Sequence, residues 1–264
     1  MALRIQNNVE AFNAHRQLTG TASKAAKSME KLSSGYRINR AADDAAGLAI
    51  TEKLRGQIGG LEQAQRNAQD AISLVQTAEG NLQEVHSMLQ RVRELAVQYK
   101  NGALSTQDRA AIQSEVNMLA SEIERIGSTA QFNGIQLLNT AQTISFQVGA
   151  NDGDVITIAT ATLSSQIGSI DVSSAGAISA IDAAIGNVST MRSTFGAVQN
   201  RLEHTLNNIS TYQENLTASE SRIRDVDMAS EMVNFTKLNI LQQAGTSMLA
   251  QANQAPQGVL SLLR

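Results

Sequence analysis

A heptad repeat of apolar residues between Leu61 and Ala96 constrains the fold of this chain more than any other feature. Its apolar positions alternate steps of three and four without interruption: Leu61, Ala64, Ala68, Ala71, Val75, Ala78, Leu82, Val85, Leu89, Val92 and Ala96. At 1.5 Å per residue the stripe runs along about 54 Å of helix. The alanines of its first half allow neighbouring helices to approach closely. The sequence therefore predicts a long helix that packs against other long helices.

Capping signals place the ends of the helices. Asn39 is predicted to cap the long helix, because its side-chain oxygen can accept from the free N–H groups of a first turn. Asp43 and Asp44 would then lie near the positive end of the helix dipole. Ser105 and Asp108 have the spacing of a capping box, which predicts a third helix. Another helix with three-four apolar spacing is expected from Ala177 onwards, with a joint at residues 218–224.

The middle of the chain changes character. Apolar and polar residues alternate over residues 144–148 and 155–158, with a turn of Asn, Asp and Gly between them. This pattern predicts one β-hairpin, with a further short strand near Leu137. Residues 164–176 are rich in Ser and Gly and are predicted to form a loop.

Both ends of the chain are predicted to be amphipathic helices. Val9, Phe12, Leu18 and Leu32 mark the first, and Val233, Ile240 and Met248 mark the last. Leu260 and Leu263 follow near the C-terminus. Neither helix has a partner in its own half, so the two are expected to pair with each other.

The expected fold class is therefore mainly α: a long antiparallel coiled-coil helical rod with a small β-hairpin insert, in which the N- and C-terminal helices pair. Three domains are expected. Residues 1–43 with 219–264 form the terminal-helix domain, residues 44–140 with 175–218 the helical rod domain, and residues 141–174 the hairpin insert.

Composition narrows the possible partners. The net charge of −3 and the absence of Lys/Arg blocks argue against nucleic acid binding. No apolar run has the length of a membrane span, and the first twenty residues have no apolar core of the kind a cleaved secretory signal needs. The chain is expected to be cytosolic, or to leave the cell without a cleaved signal.

Catalytic chemistry has little support in the sequence. Asp43 and Asp44 could suggest an acid–base pair or a metal site, but helix-start electrostatics and polar contacts between subunits explain them better. His15, His86 and His204 lie far apart and without metal-ligand spacing. No catalytic residue, cofactor or metal is expected.

Seven blocks of the chain resemble bacterial flagellin. They span Ser28–Ile58, Gln76–Gly80, Leu89–Gln98, Phe132–Gly134, Val198–Ile209, Glu214–Met232 and Met248–Arg264. The resemblance implies a secreted subunit of the extracellular flagellar filament that assembles with itself into a helical polymer for swimming motility. It implies terminal helices that become ordered on polymerisation. Because only residues 141–174 separate the two helical regions, the outer variable domains are expected to be absent or minimal.

The resemblance also implies partners and site residues. The partners are a flagellar export chaperone on the C-terminal helix, the filament cap and junction proteins, and the host Toll-like receptor 5. The chain would be exported in an unfolded state through the type III apparatus. The receptor would recognise Gln90, Arg91, Glu94, Leu95 and Glu115. Polymerisation and inner-core packing are assigned to Val9, Phe12, Leu18, Leu32, Asp43, Asp44, Val233, Ile240, Met248, Leu260 and Leu263.

Two alternatives remain open at this point. A hook–filament junction protein shares the terminal architecture, although the full C-terminal blocks favour the filament subunit. A cytosolic coiled-coil scaffold would also use long amphipathic helices, and it would be absent from the cell surface.

Overall fold

The computed structural model describes residues 8–160, 162–168 and 170–262, with side chains as far as residue 254. Six helices and four strands are seen in these ranges: α1 Val9–Ser34, α2 Ala45–Tyr99, α3 Thr106–Thr129, β1 Gln131–Phe132, β2 Ile135–Gln136, β3 Thr143–Gln147, β4 Val155–Ala159, α4 Leu163–Ile167, α5 Ala177–Arg224 and α6 Met228–Leu262. The chain divides into two compact units, Met1–Gly56 with Asn215–Arg264, and Gln57–Glu214. The mainly α fold class is confirmed.

The unit of residues 57–214 is built on the predicted heptad stripe of α2. All eleven stripe positions are exposed by 3% or less. Helix α5 runs antiparallel to α2, since Arg93 contacts Asp182 at 2.6 Å and Glu79 contacts Arg192 at 3.6 Å. The three-four spacing therefore produces the helix-to-helix packing that it predicted.

Helix α3 packs on the same unit and begins at the predicted capping box. The Ser105 hydroxyl accepts from the Asp108 N–H at 3.2 Å, and the Asp108 carboxylate accepts from the Ser105 N–H at 3.0 Å. Ile112 and Val116 join Val92 and Ile181 in one core cluster. Helices α2, α3 and α5 thus share a core.

The β structure contains two hairpins where one was predicted. Strands β3 and β4 pair antiparallel, with Phe146 opposite Ile156. Strands β1 and β2 form a second, tight hairpin, with Phe132 opposite Ile135. Its turn is Asn133 and Gly134 at φ 48° and 79°, the left-handed values that a two-residue hairpin turn requires.

The unit of residues 1–56 and 215–264 pairs α1 with α6, as expected. The Asn8 side-chain amide donates to the Ala252 carbonyl at 2.7 Å, and the Ser28 hydroxyl donates to the Glu231 carboxylate. The start of α1 therefore meets the far part of α6, and the end of α1 meets its beginning. The two helices are antiparallel.

Three local predictions were wrong. Helix α2 begins at Ala45 and not near Asn39; Asp44 supplies the cap by accepting from the Gly47 N–H at 2.9 Å. The joint between α5 and α6 lies at residues 225–227, because α5 continues through 218–224. Residues 163–167 form the short helix α4 inside the predicted loop.

Candidate assembly interface

Helices α1 and α6 meet along a seam that mixes small, polar and larger apolar residues. Seven half-buried or buried positions on each helix follow three-four spacing. On α1 they are Ala11, Ala14, Leu18, Thr21, Ala25, Ser28 and Leu32, and on α6 they are Glu231, Phe235, Leu238, Gln242, Gly245, Leu249 and Ala252. Gly245 allows a close approach, because a Cβ atom there would lie 3.1 Å from Leu18 Cδ1.

The outer face of α6 carries large apolar side chains that pairing with α1 leaves exposed. Val233 is 69% exposed, Ile240 61% and Met248 64%. Met232, Val233, Ile240 and Leu241 line a shallow, mostly apolar groove of about 480 Å³ together with Thr236 and Lys237. We call the five apolar side chains of Met232, Val233, Ile240, Leu241 and Met248 the outer face of α6. On α1, Val9 and Phe12 are exposed in the same way.

The residues that the sequence assigned to polymerisation therefore occupy different positions. Leu18 and Leu32 lie half-buried on the seam, whereas Val9, Phe12, Val233, Ile240 and Met248 are exposed. The Leu260 side chain and Leu263 lie outside the described residues. Sequence reasoning missed the seam of α6, since Glu231, Gln242 and Gly245 do not register as an apolar stripe. Their three-four spacing with Leu238 and Leu249 was the available signal.

Two loops in this unit are fastened to each other. Tyr36 forms an antiparallel bridge with Asp225, and the Val226 N–H donates to the Gly35 carbonyl at 3.0 Å. The Arg37 N–H donates to the Arg224 carbonyl at 2.6 Å. The loop after α1 and the loop before α6 are therefore held together next to the helix pair.

Arg224 adds side-chain contacts to these backbone hydrogen bonds. Its guanidinium donates to the Glu52 carboxylate at 3.0 Å and lies 4.6 Å from the centre of the Tyr36 ring. The side chain is only 12% exposed. A guanidinium can stack on a ring and donate to a carboxylate at once, and a lysine cannot replace both contacts.

Asp43 and Asp44 both act on backbone N–H groups. The Asp43 carboxylate accepts from Arg40 at 3.0 Å and from Asn39 at 3.2 Å, and these two bonds lower its pKa. Asp44 caps α2. Gly47 has no room for a side chain, since a Cβ atom would collide with the Asp44 carboxylate and lie 2.8 Å from Ile38.

The residues assigned to receptor recognition form a charged cluster on α2 and α3. The Arg91 guanidinium donates to Glu115 at 3.0 Å and to Glu94 at 3.2 Å, and these carboxylates raise its pKa. Gln90 is exposed beside them, one turn from His86. Leu95 is different: it is 2% exposed and belongs to the core cluster of α2, α3 and α5. We define the receptor cluster as Gln90, Arg91, Glu94 and Glu115.

Within the described residues, no three His, Asp or Glu side chains gather in a way that could hold a metal ion. In the same ranges, no helix combines the length and the apolar character that crossing a bilayer requires.

Antiparallel long helices, together with a helix pair that leaves large apolar side chains exposed, are typical of a structural protein that assembles through its helices. Comparison with known proteins gives the family. Residues 5–143 match the bacterial flagellin N-terminal helical region, and residues 178–263 match the bacterial flagellin C-terminal helical region. The chain therefore belongs to the bacterial flagellin family, whose members are structural proteins that polymerise into the flagellar filament.

Individual relatives agree with the family assignment. The chain is 54% identical to a flagellin of Halalkalibacterium halodurans over 98% of its own length and 99% of the relative. It is 47% identical to a flagellin of Bacillus subtilis over 99% of this chain and 100% of the relative. The crystal structure of Bacillus cereus flagellin superposes with a TM-score of 0.51 at 32% identity, and it covers 59% of this chain and 94% of that one.

Proposed function

We propose that this flagellin polymerises by burying the outer face of α6, with Val9 and Phe12 of α1, against neighbouring copies. The observation that carries the proposal is the arrangement of α6. Its apolar side chains lie on two faces. Phe235, Leu238 and Leu249 pack towards α1, whereas Val233, Ile240 and Met248 are exposed on the other face. An apolar face that the chain itself leaves uncovered is suited to a further helix.

The energetics favour assembly through this face. Burial of a half-exposed large apolar side chain contributes about 1 to 2 kcal/mol. The five residues of the outer face and the two of α1 would together contribute roughly 7 to 14 kcal/mol. This is a fraction of the entropy that ordering two helices costs, at about 1 to 2 kcal/mol per residue, so the α1–α6 seam and the helical hydrogen bonds must supply the rest. A second copy of the chain supplies the same apolar residues in every subunit, as a helical polymer requires.

Coupled folding and assembly follow from the small number of side chains that the terminal unit buries. Among its described side chains, only Ala25, Ser28, Ile38 and Thr51 are buried. A helix pair with so small a core is marginal by itself in water. We infer that the terminal-helix domain, residues 1–43 with 219–264, becomes ordered on polymerisation. The helical domain of residues 44–140 and 175–218, with its insert of residues 141–174, folds without assembly.

The test is filament formation by a Val233→Ser, Ile240→Ser variant, measured by sedimentation and electron microscopy. We expect the critical concentration for assembly to rise by at least about tenfold, from the loss of two buried side chains. Val155→Ser is the matched control, because Val155 is 42% exposed on β4 of the other unit. Unchanged assembly of the double variant would show that the outer face of α6 is not part of the interface.

We also propose the route and partners that such a subunit uses. The chain would leave the cell unfolded through the flagellar type III apparatus. An export chaperone would cover α6 before assembly, since its exposed apolar residues would otherwise associate in the cytoplasm. Polymerisation would take place beneath the filament cap and start on the junction proteins. The extracellular filament is the destination.

Finally, we propose that the receptor cluster is the surface that Toll-like receptor 5 would recognise in a susceptible host. The support is an exposed arginine that bridges carboxylates on two helices, which fixes the positions of all three charges. Leu95 is left out of this surface, since its side chain is in the core. Its role would be to hold α2 in place below the cluster.

A further inference from the structure

Helix α6 has one carboxylate in the part whose side chains are described, and it lies in the seam. Glu231 and Lys237 are the charged residues of α6. Lys237 lines the groove of the outer face, where water can reach its ammonium group. Glu231 instead faces α1, where it is half-buried and accepts from the Ser28 hydroxyl. A charge is costly in a seam, so its position there calls for an explanation.

We propose that the Ser28–Glu231 hydrogen bond fixes the heptad register of α1 against α6. A single polar pair in a helix seam is known to specify register, because every other alignment leaves a polar group without its partner. Ser28 is only 4% exposed, and its hydroxyl therefore depends on an acceptor within the protein.

Much of the rest of the seam consists of small side chains that specify register weakly. Four of its α1 positions are alanine or threonine, and α6 contributes Gly245 and Ala252. The contact of Leu18 with Gly245 and the Asn8–Ala252 hydrogen bond are the other seam contacts that a shift of one heptad would break. A slip in one direction would place Ser28 level with Leu238, which has no acceptor, and a slip in the other would carry Ser28 beyond the start of α6. Both slips leave Glu231 without the Ser28 hydroxyl.

Register matters for assembly, and here the inference rests on the proposed function. The exposed apolar residues of α1 and of α6 keep their relative positions only when the two helices are aligned. A shift of seven residues moves Phe12 by about 10 Å along α6. Neighbouring copies would then meet a different pattern of apolar side chains. Ser28 and Glu231 are therefore positioning residues for polymerisation.

Engineered cysteines measure the register directly, since the chain contains no cysteine. Leu18→Cys with Gly245→Cys reports the native alignment, because a Cβ atom at Gly245 would lie 3.9 Å from Leu18 Cβ, within the range of a disulfide. Leu18→Cys with Leu238→Cys, and Leu18→Cys with Ala252→Cys, report shifts of one heptad in either direction. Each double-cysteine chain is assembled into filaments with an excess of cysteine-free chains, so that disulfides form within one chain.

We expect the native pair to oxidise in preference to both shifted pairs. In a Glu231→Leu background this preference should fall by about tenfold, the effect of losing one hydrogen bond to a charged group. Glu231→Gln keeps an oxygen that accepts from Ser28, and it should restore the preference. Ser28→Ala should act like Glu231→Leu.

An unchanged preference in Glu231→Leu chains would overturn the proposal and assign the register to the Tyr36–Asp225 bridge, the Leu18–Gly245 contact and the Asn8–Ala252 hydrogen bond. So would a preference that Glu231→Gln fails to restore. The minority of variant chains in each filament keeps the measurement possible even when Glu231→Leu chains do not polymerise alone. A failure of the proposed function is seen separately: if the outer face of α6 is not the assembly interface, the Val233→Ser, Ile240→Ser variant assembles normally. That result does not depend on which cysteine pairs form disulfides.

Discussion

The guanidinium of Arg224 lies 4.6 Å from the centre of the Tyr36 ring, although the two residues stand at opposite ends of the sequence. The same side chain donates to Glu52 on α2. One arginine thus connects the loop after α1, the first part of α2 and the end of α5. Its carbonyl also accepts from the Arg37 N–H, so main chain and side chain act at the same point.

Arg224→Lys is expected to loosen this connection. A lysine keeps the charge but loses the stacked guanidinium, at a cost of about 1 kcal/mol. Hydrogen exchange of the Arg37 and Val226 amides should therefore become faster in filaments. Arg222→Lys is the control, because Arg222 is exposed two residues earlier on α5 and contacts Ser219. Equal exchange in the two variants would mean that the backbone bridge alone holds the loops.

Asp43→Ala with Asp44→Ala is expected to weaken filaments while the helices of residues 57–214 stay folded. The two carboxylates accept from backbone N–H groups before and within the first turn of α2. Circular dichroism of the monomer and the critical concentration for assembly measure the two effects. Asp152→Ala, in the exposed turn between β3 and β4, is the control. A loss of helix across the whole monomer would contradict the assignment.

The Asp43 bonds also predict how the wild type responds to acid. The folded state lowers the pKa of Asp43 below its ordinary 3.8, so the carboxylate stabilises the loop fully above that pH. The contribution decreases as the pH falls through the lower, folded-state pKa. The difference between wild type and the Asp43→Ala single variant, measured by hydrogen exchange of the Arg40 amide, should therefore disappear in strong acid.

Arg91→Asp with Glu115→Ala is expected to reduce signalling in a Toll-like receptor 5 reporter assay by at least about tenfold, through the loss of a charge pair on the binding surface. Arg125→Asp is the matched control. Arg125 is exposed and pairs with Glu122 on α3, much as Arg91 pairs with Glu94 on α2. Undiminished signalling from the double variant would show that the receptor does not recognise the receptor cluster.

Leu82→Ala is expected to destabilise the unit of residues 57–214 by about 2 to 5 kcal/mol, because it leaves a cavity in a closely packed core. Leu82 is fully buried at a heptad position, and its neighbour Gln83 is exposed. Urea unfolding of the monomer measures the change, with Gln83→Ala as the control. A loss below about 1 kcal/mol would be inconsistent with the packing of α2.

The sequence predicted α2 well because its heptads from Leu61 to Ala96 are apolar without exception. From Leu61 to Ala96 every stripe position is buried. The capping box of Ser105 and Asp108 was also predicted correctly, since capping needs only neighbouring residues. Local signals and a strong periodicity were sufficient in these cases.

The seam of α6 could not be predicted in the same way. Its apolar stripe of Val233, Ile240 and Met248 suggested the contact with α1, but these residues face outwards. An apolar stripe predicts that a helix face will be buried, but it does not identify the partner that buries it. The prediction that Asn39 caps α2 failed because Asn39 and Asp44 are both good capping residues. Gly47 has no side chain that could collide with the Asp44 carboxylate, and α2 can therefore begin at Ala45.

The central claim is that the terminal helices become ordered only when subunits assemble, and limited digestion with trypsin tests it most directly. Lys24, Lys27 and Lys237 are exposed cleavage positions on α1 and α6. In the monomer we expect rapid cleavage at these lysines, while the unit of residues 57–214 persists. In the filament the same three bonds should resist. Equal resistance of monomer and filament at Lys24, Lys27 and Lys237 would contradict the account.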